Sequence, residues 1–264
     1  MLNVNDTPTD SDIKKWSEGN EHLEKLLLAC RENGIPSMFC CSGHEKDSTA
    51  YITLKMNDQT IKKVYSIINY LNNTKNVSLV FSRNAMFEDS KFSVYMHDEN
   101  EKNSIMDIIS RAISQEENFE NLSINSQILL EIAELLISNK FNFDLTYYKG
   151  REKGICFRNI LLESTNYPFD KKMEQMGFFY KRNGLVTRYL IKGINDINEQ
   201  KILEKILKGM ENICAEFGGN RSSEYQERIL FERILSKDGQ LKGKSNLSAC
   251  ESNNKGMKEI IERD

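Results

Sequence analysis

The sequence lacks the signatures of the common catalytic centres. It contains no G-x-G-x-x-G, no G-x-x-x-x-G-K-[S/T], no G-x-S-x-G and no H-E-x-x-H. Those absences remove nucleotide binding by a known phosphate loop, serine-hydrolase chemistry and zincin chemistry from the reading. No run of about 18 apolar residues occurs, so no membrane-spanning helix is expected. The first twelve residues are acidic and polar, without the basic-then-apolar layout of a signal peptide. The six cysteines (Cys30, Cys40, Cys41, Cys156, Cys214 and Cys250) are irregularly spaced and form no C-x-x-C pair. A secreted disulfide framework therefore does not fit, and the expectation is a cytoplasmic protein with reduced thiols. Zinc takes four ligands, usually in two closely spaced pairs. Cys41 and His44, even with Cys30 or His97, supply one pair only, so no metal site is expected.

Charge is unevenly distributed. Residues 1–139 carry 13 basic and 21 acidic side chains, whereas 140–192 carry 11 basic and 5 acidic ones together with 11 aromatics. A basic, aromatic segment in an acidic chain of net charge −3 is a local signal that the whole-chain balance conceals.

Periodicity predicts an α+β fold in which antiparallel hairpins alternate with amphipathic helices. Ile13, Trp16, Leu23, Leu27 and Cys30 predict a first helix, starting at Ser11 or Ser17 and stopped by Asn33-Gly34 and Pro36. Strands follow at Ser37–Cys41 and Ala50–Met56. Asn57-Asp58 then caps a helix with the apolar face Ile61, Val64, Ile68 and Leu71. Strands Val77–Phe81 and Phe92–Met96 lead into a third helix opened by Asp98 or Asn100. Strand–strand–helix thus occurs twice, with similar joints at Met56-Asn57-Asp58 and Met96-His97-Asp98. A third version splits Gly177–Ile191 around Arg182-Asn183-Gly184 and enters a helix after Ile194-Asn195-Asp196. Between them lie a helix over Ser126–Asn139 and strands Phe141–Lys149 and Gly154–Leu162. A capping box at Ser223 and Gln226 starts a last helix. The expected organisation is a flexible N-terminus (1–10), α+β segments 11–118 and 124–236 that are either two subdomains or one sheet, and a mobile tail (237–264).

Two constellations carry chemistry. The first is Cys40-Cys41-Ser42-Gly43-His44, directly after a strand. Successive strand residues face opposite sides, so one thiol joins the core while the other reaches the solvent face. In a catalytic reading Cys41 is the nucleophile or substrate contact and His44 its base. Cys40 stands beside them, and Ser42 and Gly43 supply backbone donors. Two small buried thiols and a surface histidine account for the same residues without chemistry. The second constellation is the basic block Arg151, Lys153, Arg158, Lys181, Arg182 and Arg188, interleaved with Tyr147, Tyr148, Phe157, Tyr180 and Tyr189. Cations neutralise phosphates and aromatic faces stack on bases, which suits RNA or single-stranded DNA. A sheet with an aromatic core face and a charged solvent face gives the same alternation.

The run from Gly34-Ile35 through Cys40-Cys41-Ser42-Gly43-His44 to Tyr51-Ile52 resembles a motif of small bacterial and phage proteins: helix, short strand, Cys-Cys-x-Gly-His, Tyr-Ile strand. More distantly, Cys41-Ser42-Gly43 resembles the Cys-Ser-Gly-Arg element of the wybutosine-synthesis methyltransferase family, with His44 in place of the arginine. The resemblance implies a functional loop and no particular substrate. The expectation is a cytosolic enzyme or ligand-binding protein whose site includes Cys40–His44, the alternative being a nucleic-acid-binding or regulatory protein that uses block 140–192. No cofactor is assigned. The partner is a small-molecule or macromolecular ligand of unassigned class, with nucleic acid the macromolecular candidate and no membrane.

Overall fold

A computed structural model describes residues 8–43, 49–72, 74, 76–84, 89–115, 123–141, 143–149, 153–159, 167–183 and 186–217. The chain divides after Glu224, and every described residue lies in the N-terminal unit. The residues expected to form the 237–264 tail and the Ser223 cap lie outside the described residues, as do Met1–Thr7 of the expected flexible N-terminus.

The described residues form an α+β fold of eight strands and seven helices. Helices α1 (Asp10–Ser17) and α2 (Glu21–Glu32) precede β1 (Ser37–Cys41), β2 (Ala50–Lys55), α3 (Asp58–Tyr70), β3 (Val77–Asn84), β4 (Asp89–Met96) and α4 (Lys102–Ser114). Then come α5 (Ile124–Ser138), β5 (Phe143–Lys149), β6 (Lys153–Asn159), α6 (Tyr167–Met176), β7 (Phe179–Asn183), β8 (Val186–Ile194) and α7 (Glu199–Phe217).

Where one first helix was expected, there are two. Glu18 and Gly19 both adopt positive φ, 50° and 83°, which ends α1, and the Asn20 side chain then accepts from the Leu23 amide to start α2. The α2 terminus follows the expected chemistry: Gly34 takes φ 65°, and the Ile35 amide returns to the Cys30 carbonyl at 2.8 Å. Asn57 caps α3 through the Thr60 amide at 2.8 Å. Helix α6 carries no counterpart in the sequence reading. It completes a fourth strand–strand–helix unit.

All eight strands form one antiparallel sheet, in the order β1-β2-β4-β3-β5-β6-β8-β7. Residues 11–118 and 124–236 contribute four strands each, joined by the β3·β5 pair. The first four run 1-2-4-3 across the sheet and the last four 5-6-8-7, so the second block repeats the first. The helices repeat too: α2 packs on α4 as α5 packs on α7, and α3 packs on α4 as α6 packs on α7.

The hydrophobic core has one side. Apolar residues from all seven helices cluster with Ile52, Leu54, Leu79, Phe81, Phe92, Val94, Leu145, Tyr147, Ile155, Tyr189 and Ile191. Register places these on one face. Val80 and Tyr95, of the opposite parity, are buried yet stand outside that cluster. Among the described residues the helices of that cluster pack on the first face and none on the second, the helix-free face, where Thr53, Ser78, Ser93, Val80 and Tyr95 are nonetheless buried.

Candidate functional site

The Cys-Cys loop grows out of edge strand β1. Register sets Cys40 opposite Ile52 and Cys41 opposite Tyr51, so the two thiols point to opposite faces. Cys40 packs against the core. Burial and the neighbouring Cys41 push its pKa up to about 11, and burial beside Cys40 pushes the Cys30 thiol up to about 12. Cys41 is half-buried on the helix-free face, and its Sγ accepts the Gly43 amide at 3.4 Å. Gly43 holds φ at 73°, a conformation that favours glycine. Its carbonyl accepts a hydrogen bond from Lys102 Nζ at 3.0 Å. Lys102 is buried at the start of α4 and pairs with Glu99 at 2.6 Å. Ser42 is buried. His44 lies outside the described residues, so its relation to Cys41 is not part of this geometry.

Three rows cross the helix-free face. One runs Cys41–Tyr51–Tyr95–Ser78–Tyr148–Gly154. The next runs Phe39–Thr53–Ser93–Val80–Thr146–Cys156–Leu190–Phe179, and the third Lys55–Lys91–Ser82–Asp144–Arg158–Arg188–Lys181. With strands roughly 4.8 Å apart, the third row spans about 29 Å. Four residues of strand put the tyrosine row about 13 Å from it. Between them Thr53, Ser93, Val80 and Thr146 are short and buried, a low floor between longer side chains.

Local contacts order this surface. Tyr51 and Tyr95 lie with ring centroids 5.4 Å apart. Thr53 and Ser93 share a 2.8 Å hydrogen bond, so these two floor hydroxyls satisfy each other. Ser78 Oγ and His97 Nε2 share one at 2.7 Å, and the His97 ring meets Tyr148 edge-on at 5.4 Å. Lys91 Nζ stands 5.6 Å above the Phe39 ring.

The basic block separates on this frame. Arg158, Arg188 and Lys181 hold positions in the cationic row, and Lys181 is exposed. Lys153 and Arg182 fall on rows of the other parity, and Arg151 lies outside the described residues. The aromatics separate as well. Tyr147 and Tyr189 belong to the core face, their hydroxyls donating to Glu199 and, at 2.7 Å, to Asp170. Tyr148 takes the helix-free face.

Sequence reasoning passed over Lys55, Lys91, Tyr51, Tyr95, Ser78 and Lys102 as site residues, and weighed His97 only as a zinc ligand. A signal for the first four was present. Strand β2 reads Tyr51-x-Thr53-x-Lys55 and β4 reads Lys91-x-Ser93-x-Tyr95, a mirrored pair that an antiparallel register superposes like on like. Among the described residues no group of three or more His, Cys, Asp and Glu side chains is placed to hold a metal. No protein-family model, curated protein or solved structure matches this chain.

Proposed function

We propose that the helix-free face binds single-stranded nucleic acid, its phosphates along the cationic row and its bases toward the tyrosines. The observation that carries this reading is the register, which brings Lys55 and Lys91 from the acidic half into one row with Arg158, Arg188 and Lys181. Single-strand binding combines cations tracking the backbone with aromatic side chains on which bases stack. An open antiparallel sheet face offers both at fixed spacing. Asp144 interrupts the row, so the charge is graded along it.

The Cys40–Gly43 loop forms the rim of the same face, since Cys41 ends the tyrosine row. In this reading Cys41 is a ligand contact, and the Gly43 amide and Lys102 hold it in place.

Fluorescence anisotropy with a labelled single-stranded oligonucleotide, titrated at several salt concentrations, tests the proposal. Each neutralised phosphate contributes about 0.7 to the logarithmic salt slope on a single strand. The Lys91→Ala, Arg188→Ala double variant is therefore expected to lower that slope by about 1.4. Salt-insensitive binding, or none at 50 mM salt, overturns it.

A further inference from the structure

The block repeat fixes what a free edge of this sheet is built to meet. In the first block β3 is the terminal strand, and its outer edge is covered by β5, the opening strand of the second block. That junction is antiparallel over seven residue pairs, Val77↔Lys149 to Arg83↔Phe143, with Phe81 opposite Leu145 and Leu79 opposite Tyr147 on the core side. In the second block β7 occupies the place of β3, and in the first block β1 occupies the place of β5. Among the described residues neither β7 nor β1 has a second strand neighbour. Both present apolar surface: Phe179 is 77% exposed, Tyr180 42% and Phe39 40%.

Two copies can meet edge to edge in three ways, and charge selects one. The β7 strand carries Lys181 and Arg182 and belongs to the block-140–192 excess of 11 basic over 5 acidic residues. Pairing β7 with β7 sets cations against cations, a recognised guard against edge association. Pairing β1 with β1 sets two halves of 21 acidic and 13 basic residues side by side. Pairing β7 with β1 sets the basic block against the acidic half and copies the β3·β5 junction already present within the chain.

We infer that this chain self-associates head to tail, β7 of one copy pairing antiparallel with β1 of the next. Such an interface is heterologous, so an assembly of any size keeps one free β7 edge and one free β1 edge, and association proceeds beyond a dimer unless it closes. The inference does not rest on nucleic-acid binding and is tested without an oligonucleotide.

Sedimentation velocity over a hundredfold concentration range is expected to show masses rising through successive multiples of the chain. Neighbouring strand residues direct their amides to opposite sides. Of Tyr180→Pro and Lys181→Pro, one therefore removes an outward N–H and leaves the β7·β8 ladder intact. The same holds for Phe39→Pro and Cys40→Pro in β1. Circular dichroism identifies the folded member of each pair. Each folded variant alone is expected to stay monomeric, while an equimolar mixture of the β7 and β1 variants forms a dimer and nothing larger. A wild-type chain monomeric throughout overturns the inference, whatever the variants do. So does a β1 variant that still dimerises alone, since that places the contact at paired β7 edges.

Discussion

Lys102 Nζ donates to the carbonyl of Gly43 at 3.0 Å, tying the first residue of α4 to a loop 59 positions earlier. The Gly43 amide in turn donates to Cys41 Sγ. One buried ammonium therefore anchors the residue whose amide contacts the thiol, through the peptide on its other side. Lys102→Met leaves the Gly43 carbonyl without this donor, at a cost of about 1–3 kcal/mol. The expected result is a lower melting temperature and faster alkylation of Cys41. Unchanged labelling would show that the loop holds its shape without the lysine.

Thiol reactivity in the unmodified protein follows from the same geometry. Burial raises the pKa of Cys30 to about 12, and of Cys40 and Cys214 to about 11. Thiolate is the reactive form, so all three should label slowly at neutral pH. Cys41, half-buried on the helix-free face, is expected to label before them in brief mass-mapped alkylation. If Cys40 leads instead, β1 presents its other side to solvent.

The tyrosine row makes a prediction distinct from the salt slope. Stacking on an aromatic side chain contributes about 1–3 kcal/mol per base. Tyr148→Ala and Tyr51→Ala should each weaken oligonucleotide binding by that amount and leave the slope unchanged, because no phosphate contact is lost. Tyr147→Phe, on the core face, should leave affinity unaltered and lower stability. Equal effects from Tyr147 and Tyr148 would detach binding from this face.

Acid sensitivity is expected at the α2–α4 contact. Partial burial works to raise the Asp107 pKa, but hydrogen bonds from His22 at 3.0 Å and Lys25 at 3.3 Å outweigh it and hold the carboxyl below its usual value. A carboxylate with a depressed folded pKa stabilises the fold above its unfolded pKa of about 3.9 and loses that contribution as pH falls through the folded value. The group is about a third exposed, so solvent screening limits the effect to about 0.5 kcal/mol. Thermal melts of wild type and Asp107→Asn should converge below pH 4 and separate above it.

Helices α6 and α7 meet at Gly209, where an added Cβ would collide with the Met176 thioether. Glycine within a helix costs about 1 kcal/mol relative to alanine, so Gly209→Ala would stabilise an isolated α7. Met176 is buried, and overpacking costs about 1–3 kcal/mol. The expected net effect is destabilisation. A double-mutant cycle with Met176→Ala should return a favourable coupling, since the space vacated by Met176 accepts the added methyl; strict additivity would show that Met176 moves aside freely.

The strand–strand–helix rhythm was legible because its signals are local. Asn57 opens α3 through its own side chain, and Gly34 with Pro36 closes α2, each within a few residues of the cue. The Glu18-Gly19 break was harder to read, since the apolar positions of α1 and α2 continue in phase across it and left-handed backbone at Glu18 leaves no mark on periodicity. The candidate site resisted for another reason. Lys55 and Arg188 belong to one row only because five intervening strand pairings hold register, and pairing between strands far apart in sequence is not written in any one of them. Charge read by segment therefore gathered Arg182 and Lys153 with Arg188, while the sheet sorts them by parity.

Because β3 and β5 alone join the two four-strand blocks within the sheet, each block closes its remaining strand pairings among its own residues. A chain broken between α4 and α5 would leave two pieces, each retaining a hairpin-based half-sheet and its own share of helices. Restoring the whole requires one edge of seven residue pairs. Co-expressed fragments are accordingly suited to complementation, with β5 acting as the strand that one piece donates to the other.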